Sequence, residues 1–245
     1  MSIFVVTHKQ AELPRTDWLV PLGVGGYRDA SVQLSDETGH SIAAINRSYC
    51  ELTATHWIWR NRPDDWVGLC HYRRYFNLLP LQGAPAQGVL QAPATPQTLA
   101  FLAAPAQRER LELLLDKFGL VVPAPVTVWP SVGHAFASAH GADIWAAFMS
   151  ACRDEFGRIA TTLEADTRFY PFNMLAARRE VFADYATRLF RVIDRVSAAI
   201  GDRAPVDGAR FQPYRYPAYL GERFTGLYLT ATGTPHALAS VVCLE

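Results

Sequence analysis

The sequence has no Walker loop, no GxGxxG turn, no HExxH helix and no GxSxG elbow. The common signatures of nucleotide hydrolysis, dinucleotide binding, zinc proteolysis and serine esterases are therefore missing. No apolar run approaches the roughly 18–20 residues that span a bilayer. The opening MSIFVVTHK holds an apolar run of only four residues and no basic leader, so neither a signal peptide nor an anchor is expected there. There is no excess of either charge: 23 Lys plus Arg stand against 23 Asp plus Glu, for a formal net charge of zero. A general nucleic-acid binder would show a basic excess, so no nucleic-acid partner is expected. Cysteines are few (Cys50, Cys70, Cys152 and Cys243), and none has CxxC spacing. A structural zinc site is not expected, and the thiols read as reduced and mostly buried in a cytosolic protein.

What remains is ordinary globular material. Half of the 245 residues are hydrophobic and 19% are charged, and a chain of this length can bury a substantial core without staples. No internal repeat and no clean linker appears, so the expectation is one domain over residues 1–245. Strand and helix patterns alternate. SIFVV (2–6) is a β-branched run ending in Thr7-His8-Lys9, the form of a buried parallel strand. LVPLGVGGY (19–27) predicts a second strand and a glycine turn, and SDETGHS (35–41) a polar loop. A helix is predicted over 47–61, with Ser48 and Glu51 at capping-box spacing. WVGLC (66–70) is the next strand, closing a strand–helix–strand unit.

The Pro-, Ala-, Gln- and Gly-rich stretch 80–108 reads as a mobile excursion with a short helix near 97–103. A helix at 107–117 leads into the strand GLVVPAP, and 134–163 reads as helical, with Ile144, Phe148 and Cys152 on one face. RFYPFNMLAAR (168–178) reads as a strand. Residues 179–200 read as the longest helix, with Phe182, Tyr185, Leu189, Val192, Ile193 and Val196 on one side. The pattern predicts an α/β fold with a mostly parallel central sheet flanked by helices.

In such a sheet, ligands bind beyond the carboxyl ends of the strands. Two strand ends carry chemistry: Thr7-His8-Lys9 and His71-Tyr72-Arg73-Arg74. If the second strand continues, His71 and Arg73 face one way and Tyr72 and Arg74 the other. Two guanidiniums beside a crevice suit a phosphate or carboxylate, because the planar fork engages two oxygens. The competing reading is salt bridges to distant acids, with the aromatics as core. Asp36 fits a ribose-binding acid or a turn former. Asn46 at the helix entrance fits an N-cap or a phosphate neighbour. His140 and Asp143 are spaced as a base and its orienter, or as a surface pair. Asn173 and Met174 end an apolar strand, where a buried amide needs backbone or substrate partners. Glu222-Arg223 fits a base with an anion clamp, or an exposed ion pair of little weight.

Taken together, VVTHK, SYCELTATHWIWRN, WVGLCHYRRYF, FNMLAARREVF and GERFTGLYL resemble the DUF4422 family of bacterial glycosyltransferases over nearly the whole chain. Its members belong to capsule, exopolysaccharide and O-antigen gene sets. The resemblance implies a GT-A-like, Rossmann-type domain that uses a nucleotide-sugar donor, UDP-linked, to move a hexose of galactose type onto a surface glycan. It also implies work in the cytoplasm, at the inner face of the membrane where the acceptor is lipid-linked. Thr7, His8 and Lys9 would line the nucleotide pocket, with Asp36, Asn46, Tyr49, Glu51, His71 and Tyr72 completing it. Asn173, Met174 and Arg223 would contact substrate, and Glu222 and His140 are the candidate bases. Where GT-A relatives carry an Asp-x-Asp metal motif, this chain has His71-Tyr72-Arg73, so Arg73 and Arg74 would neutralise the leaving diphosphate and transfer would be metal-independent or only weakly metal-dependent. The family's D-x-T-G-D-N-I-S run reads Asp36-Glu37-Thr38-Gly39-His40-Ser41-Ile42 here, which points to a different donor preference. Two other readings stand beside this one: a non-catalytic nucleotide-sugar or glycan-binding module, and a phosphate-ester enzyme with an arginine clamp.

Overall fold

The computed structural model describes residues 1–14, 16–32, 34–79 and 88–245. The chain begins with β1 (Ser2–Thr7), β2 (Leu19–Gly23) and the short β3 (Leu34–Ser35). Every residue of β1 is buried, as its unbroken apolar run predicts. Next come α1 (Asn46–Tyr49) and α2 (Leu52–Asn61). The single helix expected over 47–61 is broken at Cys50, whose φ of 49° ends α1. The expected capping box does not form: Ser48 Oγ donates to the Ile45 carbonyl and Glu51 makes no cap hydrogen bond.

β4 (Trp66–His71), β5 (Arg74–Asn77) and β6 (Val89–Ala92) follow, then α3 (Pro96–Ala103) and α4 (Pro105–Phe118). Residues 80–87 of the expected excursion lie outside the described residues. From Val89 onward the segment is regular structure, with the short helix where the sequence put it. Thr95 caps that helix by accepting from the Thr98 amide, and Pro96 suits its first turn.

β7 (Leu120–Pro123) and β8 (Val126–Thr127) precede α5 (Val132–His140), α6 (Ala142–Phe156) and α7 (Thr162–Ala165). Ile144, Phe148 and Cys152 are all buried on α6. The strand expected over 168–178 is two strands, β9 (Arg168–Phe169) and β10 (Leu175–Arg178). Between them Phe172 and Asn173 take φ of 80° and 48°, which no strand accommodates. The chain closes with α8 (Arg179–Ile200), α9 (Tyr216–Thr232) and β11 (Ala237–Leu244). α8 buries the predicted face, Phe182 through Val196, at about 1.5–3 kcal/mol per large apolar side chain.

The main sheet runs β10-β7-β11-β5-β4-β1-β2-β3, with β6 also on β11. It is mixed rather than mostly parallel. β1 pairs parallel with β2 and β4, and β11 with β6 and β7. The pairs β4–β5, β4–β10, β7–β10 and β5–β11 are antiparallel. The reason is local: the chain reverses just after β4, and β10 and β11 return against the parallel half. β10 can lie on β4 because position 68 is glycine, where a Cβ would stand 2.5 Å from the Leu175 carbonyl oxygen. One face of the sheet packs against α2, α6, α8 and α9, the other against α3 and α4. Among the described residues no helix is long and apolar enough to cross a membrane.

Candidate functional site

The parallel strands β1 and β4 end side by side, with Val6 in register with His71 and the Tyr72 amide donating to the Val6 carbonyl at 3.0 Å. Beyond β1, Thr7 Oγ1 donates to the Lys9 carbonyl at 2.6 Å and so bends Thr7-His8-Lys9 over the strand end. Beyond β4 the strand does not continue. Tyr72 and Arg73 form a two-residue turn, and His71 pairs with Arg74 at the start of β5. The expected alternation of HYRR across two faces is therefore replaced by a hairpin tip.

At that tip the Tyr72 ring is flanked by two cations and an imidazole. Lys9 Nζ lies 5.6 Å from its centroid, the Arg73 guanidinium 5.4 Å, and the His8 ring meets it edge-on at 5.5 Å. Arg74 folds back, donating from Nη1 to His71 Nδ1 at 3.2 Å and covering the Phe172 ring at 4.7 Å. The salt-bridge reading of these arginines does not hold: among the described residues neither Arg73 nor Arg74 forms an ion pair with a carboxylate.

The break at Cys50 brings a third arginine to the same place. Arg215, just before α9, donates from Nε to Cys50 Sγ at 3.0 Å and lies 5.9 Å from the Tyr219 ring. It too has no carboxylate partner among the described residues. Burial lowers the pKa of His8, and Lys9, Arg215 and Arg73 lower it further. The sequence reading missed Arg215 and Cys50. The prolines of PYRYP (213–217) mark a helix entrance, which was the available signal.

Two carboxylates face this basic rim. Glu51 Oε1 accepts from Asn173 Nδ2 at 2.8 Å, and Glu222 Oε1 accepts from the Phe172 amide at 2.7 Å. Both acids are thus held by the left-handed Phe172–Asn173 turn. Asn173 also donates to the Ala218 carbonyl at 2.9 Å, while its Oδ1 is buried without a partner. Gly221 makes room for that oxygen, since a Cβ there would lie 2.6 Å from it. Glu222 Oε2 accepts from Arg223 Nη1 at 2.8 Å, and Arg223 lies against the rings of Phe169 and Phe136 at 4.3 and 5.3 Å. Burial pushes the Glu222 carboxyl up, and Glu51 adds to this against the pull of Arg223. Burial also lowers the Arg223 guanidinium.

Other predicted residues stand apart from the rim. Asp36 is fully buried, and its Oδ2 accepts from Thr53 Oγ1 at 2.5 Å. Burial raises its pKa against that hydrogen bond. Asn46 Nδ2 donates to Thr53 Oγ1 and to the Cys50 carbonyl, both at 2.8 Å. Asp36 and Asn46 therefore brace the kink that places Glu51. The Tyr49 hydroxyl points to α8, 3.0 Å from Ser197 Oγ. Met174 is buried in the core on the α3–α4 side. His140 is stacked on Tyr219 at 4.3 Å and bordered by Phe136 and Phe211, where burial and then Arg223 push it down to about 4. Its expected partner Asp143 pairs with Arg203 instead, so the base–orienter pair does not form.

A cavity of about 1190 Å³ is lined by Gln10, Leu13, Pro14, Leu19, Tyr27 and Leu99 among others. Neither the arginines of the rim nor the acids above line it. Among the described residues no group of three His, Cys, Asp or Glu side chains could hold a metal ion.

The family described as "Domain of unknown function (DUF4422)" matches residues 2–233. The solved apo structure of the WbbM bifunctional glycosyltransferase shares the fold over 100% of this chain, with a TM-score of 0.84 and 22% identity. The chain spans 45% of that protein's length. No curated protein matches the sequence.

Proposed function

The chain belongs to the DUF4422 family, and from that premise we propose that it is a glycosyltransferase, moving a hexose of galactose type from a UDP-sugar to a hydroxyl of a surface-polysaccharide acceptor. The observation that carries this reading is the gathering of Arg73, Arg74 and Arg215, with no carboxylate partner among the described residues, around two acids at the carboxyl ends of β1 and β4. Cations held without counter-ions in a partly buried place are costly unless an anion arrives. A nucleoside diphosphate supplies one.

In this reading Lys9, Arg73, Arg74 and Arg215 hold the diphosphate, and Tyr72 offers a ring face beside them. Glu222 takes the proton of the acceptor hydroxyl, because burial makes its carboxylate the more avid base. The acceptor oxygen bonds to the anomeric carbon, the bond from that carbon to the diphosphate oxygen breaks, and UDP leaves. The guanidiniums stand where the leaving group gains negative charge, which is where positive charge lowers the barrier. His140 is not the base in this scheme, since its ring is packed among aromatics. The strand end where GT-A enzymes place their acidic metal motif does not fit a divalent cation here. Its side chains are an imidazole, a phenol and two guanidiniums, so transfer runs on the arginines.

The acceptor in this reading is a glycan or a lipid-linked glycan, the latter at the inner face of the cytoplasmic membrane. The test is a thermal-shift panel of UDP-, GDP-, dTDP- and CMP-sugars, with and without magnesium or manganese, followed by UDP release. A UDP-hexose should raise Tm without metal. No shift with any donor would end this reading. Binding without UDP release, alone or with glycan acceptors, would support a non-catalytic binding module.

A further inference from the structure

A second, smaller cleft lies between α2 and α8, and none of the arginines or acids of the rim lines it. Its volume is about 270 Å³, just under the range of about 300–1,000 Å³ usual for small-molecule sites, so it has room for one ring and not for a chain. Each helix lends it one stripe. His56 and Trp59 are three positions apart on α2, and Asp194 follows Arg191 by three positions and Phe190 by four on α8, so each set shares a face. The floor is apolar. The rings of Trp59 and Phe190 stack at 6.0 Å with their planes 7° apart, and the His56 ring meets both edge-on at 5.7 and 5.3 Å. Arg191, Asp194 and Ile45 stand exposed at the mouth.

The polar groups of this cleft are underused. Among the described residues Asp194 forms no ion pair. Its hydrogen bond from the Tyr49 hydroxyl is a long 3.5 Å, while that hydroxyl stands 3.0 Å from Ser197 Oγ. His56 Nδ1 is buried with no hydrogen-bond partner among the described residues, where buried polar atoms normally find one. Burial, then Arg60 and His40, lowers the pKa of that ring and keeps it uncharged at neutral pH. Arg191 reaches Glu155 with one nitrogen at 3.5 Å, and a guanidinium carries further donors.

This set selects its ligand by charge. An anion would be drawn to Arg191 and repelled by Asp194, and a cation the reverse. A neutral ring bearing hydroxyls is served by both, because adjacent hydroxyls donate to a carboxylate and accept from a guanidinium as charge-assisted bonds. Its C–H face then lies on the apolar floor. A pyranose has this build. Tyr49, a wall of the cleft, comes two positions before Glu51, a backbone span of at most about 7 Å, so the cleft and the transfer site meet at the Cys50 kink. Resting on the glycosyl-transfer reading for its role, we propose that this cleft binds one pyranose unit of the acceptor glycan, apart from the sugar being extended, with Asp194 and Arg191 as its hydroxyl partners.

The experiment is a titration of the ¹⁵N-labelled full chain with the methyl glycosides of galactose, glucose and mannose, followed by NMR at the Trp59 indole N–H and the His56 ring. Uridine and UDP are titrated in parallel. At least one glycoside should move both signals in a saturable way. Asp194→Ala and Arg191→Ala, each at the exposed mouth, should keep the wild-type spectrum elsewhere and weaken that response roughly 10- to 100-fold, the loss of a hydrogen bond to a charged group. Both variants should keep the Tm rise given by UDP. Glycosides that leave Trp59 and His56 unmoved while UDP still binds would overturn this inference and spare the transferase reading. Glycoside binding that both variants retain would place the sugar elsewhere and overturn it too. Uridine moving the same two signals would assign the cleft to the donor instead. Glycoside binding here without any UDP affinity would keep the cleft as a sugar site and remove the donor reading.

Discussion

Replacing Glu222 by glutamine separates catalysis from structure at one position. The substitution keeps the side chain's length and removes its charge. Two effects on stability oppose each other. Arg223, with 12% of its side chain exposed, loses its counter-charge, and breaking a buried pair costs about 3–5 kcal/mol. Against this, Glu222 is held above the ordinary carboxylate range in the fold because burial outweighs Arg223. The fold therefore favours its neutral form more than the unfolded chain does, and glutamine resembles that form. Each tenfold change in proton affinity is worth about 1.4 kcal/mol. The glutamine oxygen can still accept from the Phe172 amide, or its amide can face Arg223, but not favourably both.

The sign follows from linkage. A carboxyl raised in the native state makes the fold bind protons that the unfolded chain has released. Its stabilising contribution is full below the unfolded carboxyl range and is lost as pH rises through the folded value. The variant should therefore match wild type in acid and equal or exceed it at pH 7. By differential scanning fluorimetry we expect Tm unchanged or about 2–4 °C higher, since about 1 kcal/mol moves Tm that far in a chain of this size. UDP-sugar turnover should fall by roughly 10²- to 10⁴-fold, the usual weight of a general base, with donor affinity little changed. A Tm loss above about 8 °C would show that Glu222 is chiefly the counter-ion of Arg223. Undiminished turnover would remove it as the base.

Arg215→Ala should leave the fold intact, because among the described residues its only side-chain hydrogen bond is to Cys50 Sγ. By calorimetry UDP should bind it roughly 10- to 100-fold more weakly; unchanged affinity would take Arg215 out of the diphosphate clamp. Gly221→Ala would drive a methyl group to 2.6 Å from Asn173 Oδ1, costing about 1–3 kcal/mol by overpacking and disturbing the Glu51–Asn173 bond. A variant with wild-type melting and wild-type turnover would show that this contact relaxes freely.

Much of the scaffold was legible because its signals are local. The apolar runs of β1 and β4 end where polar residues begin, which marks Thr7–Lys9 and His71–Arg74 as strand ends in the sequence itself. The long stripe of α8 is periodic enough to fix both its length and its buried face. The site was less legible because its joints are not periodic. Nothing about a cysteine at position 50 announces a left-handed residue, yet that kink seats Glu51 and meets Arg215. The strand expected through 168–178 failed because Phe172 and Asn173 turn to reach groups far along the chain. Glu51 and Asn173 are 122 positions apart, and residue spacing carries no record of such a contact. Tyr72–Arg73 has neither glycine nor asparagine to signal a two-residue hairpin, so the turn after the strand carries no mark in the sequence.

The Phe172–Asn173 turn ties the two acids of the site to neighbouring atoms of one short segment: a backbone amide holds Glu222 and the next side chain holds Glu51. The acids come from α9 and from the head of α2, but neither can shift without straining the same pair of left-handed residues. They behave like two levers on a common pin. A displacement of one acid is therefore registered at the other through a single peptide unit, and a change at residue 172 or 173 would re-seat both acids together.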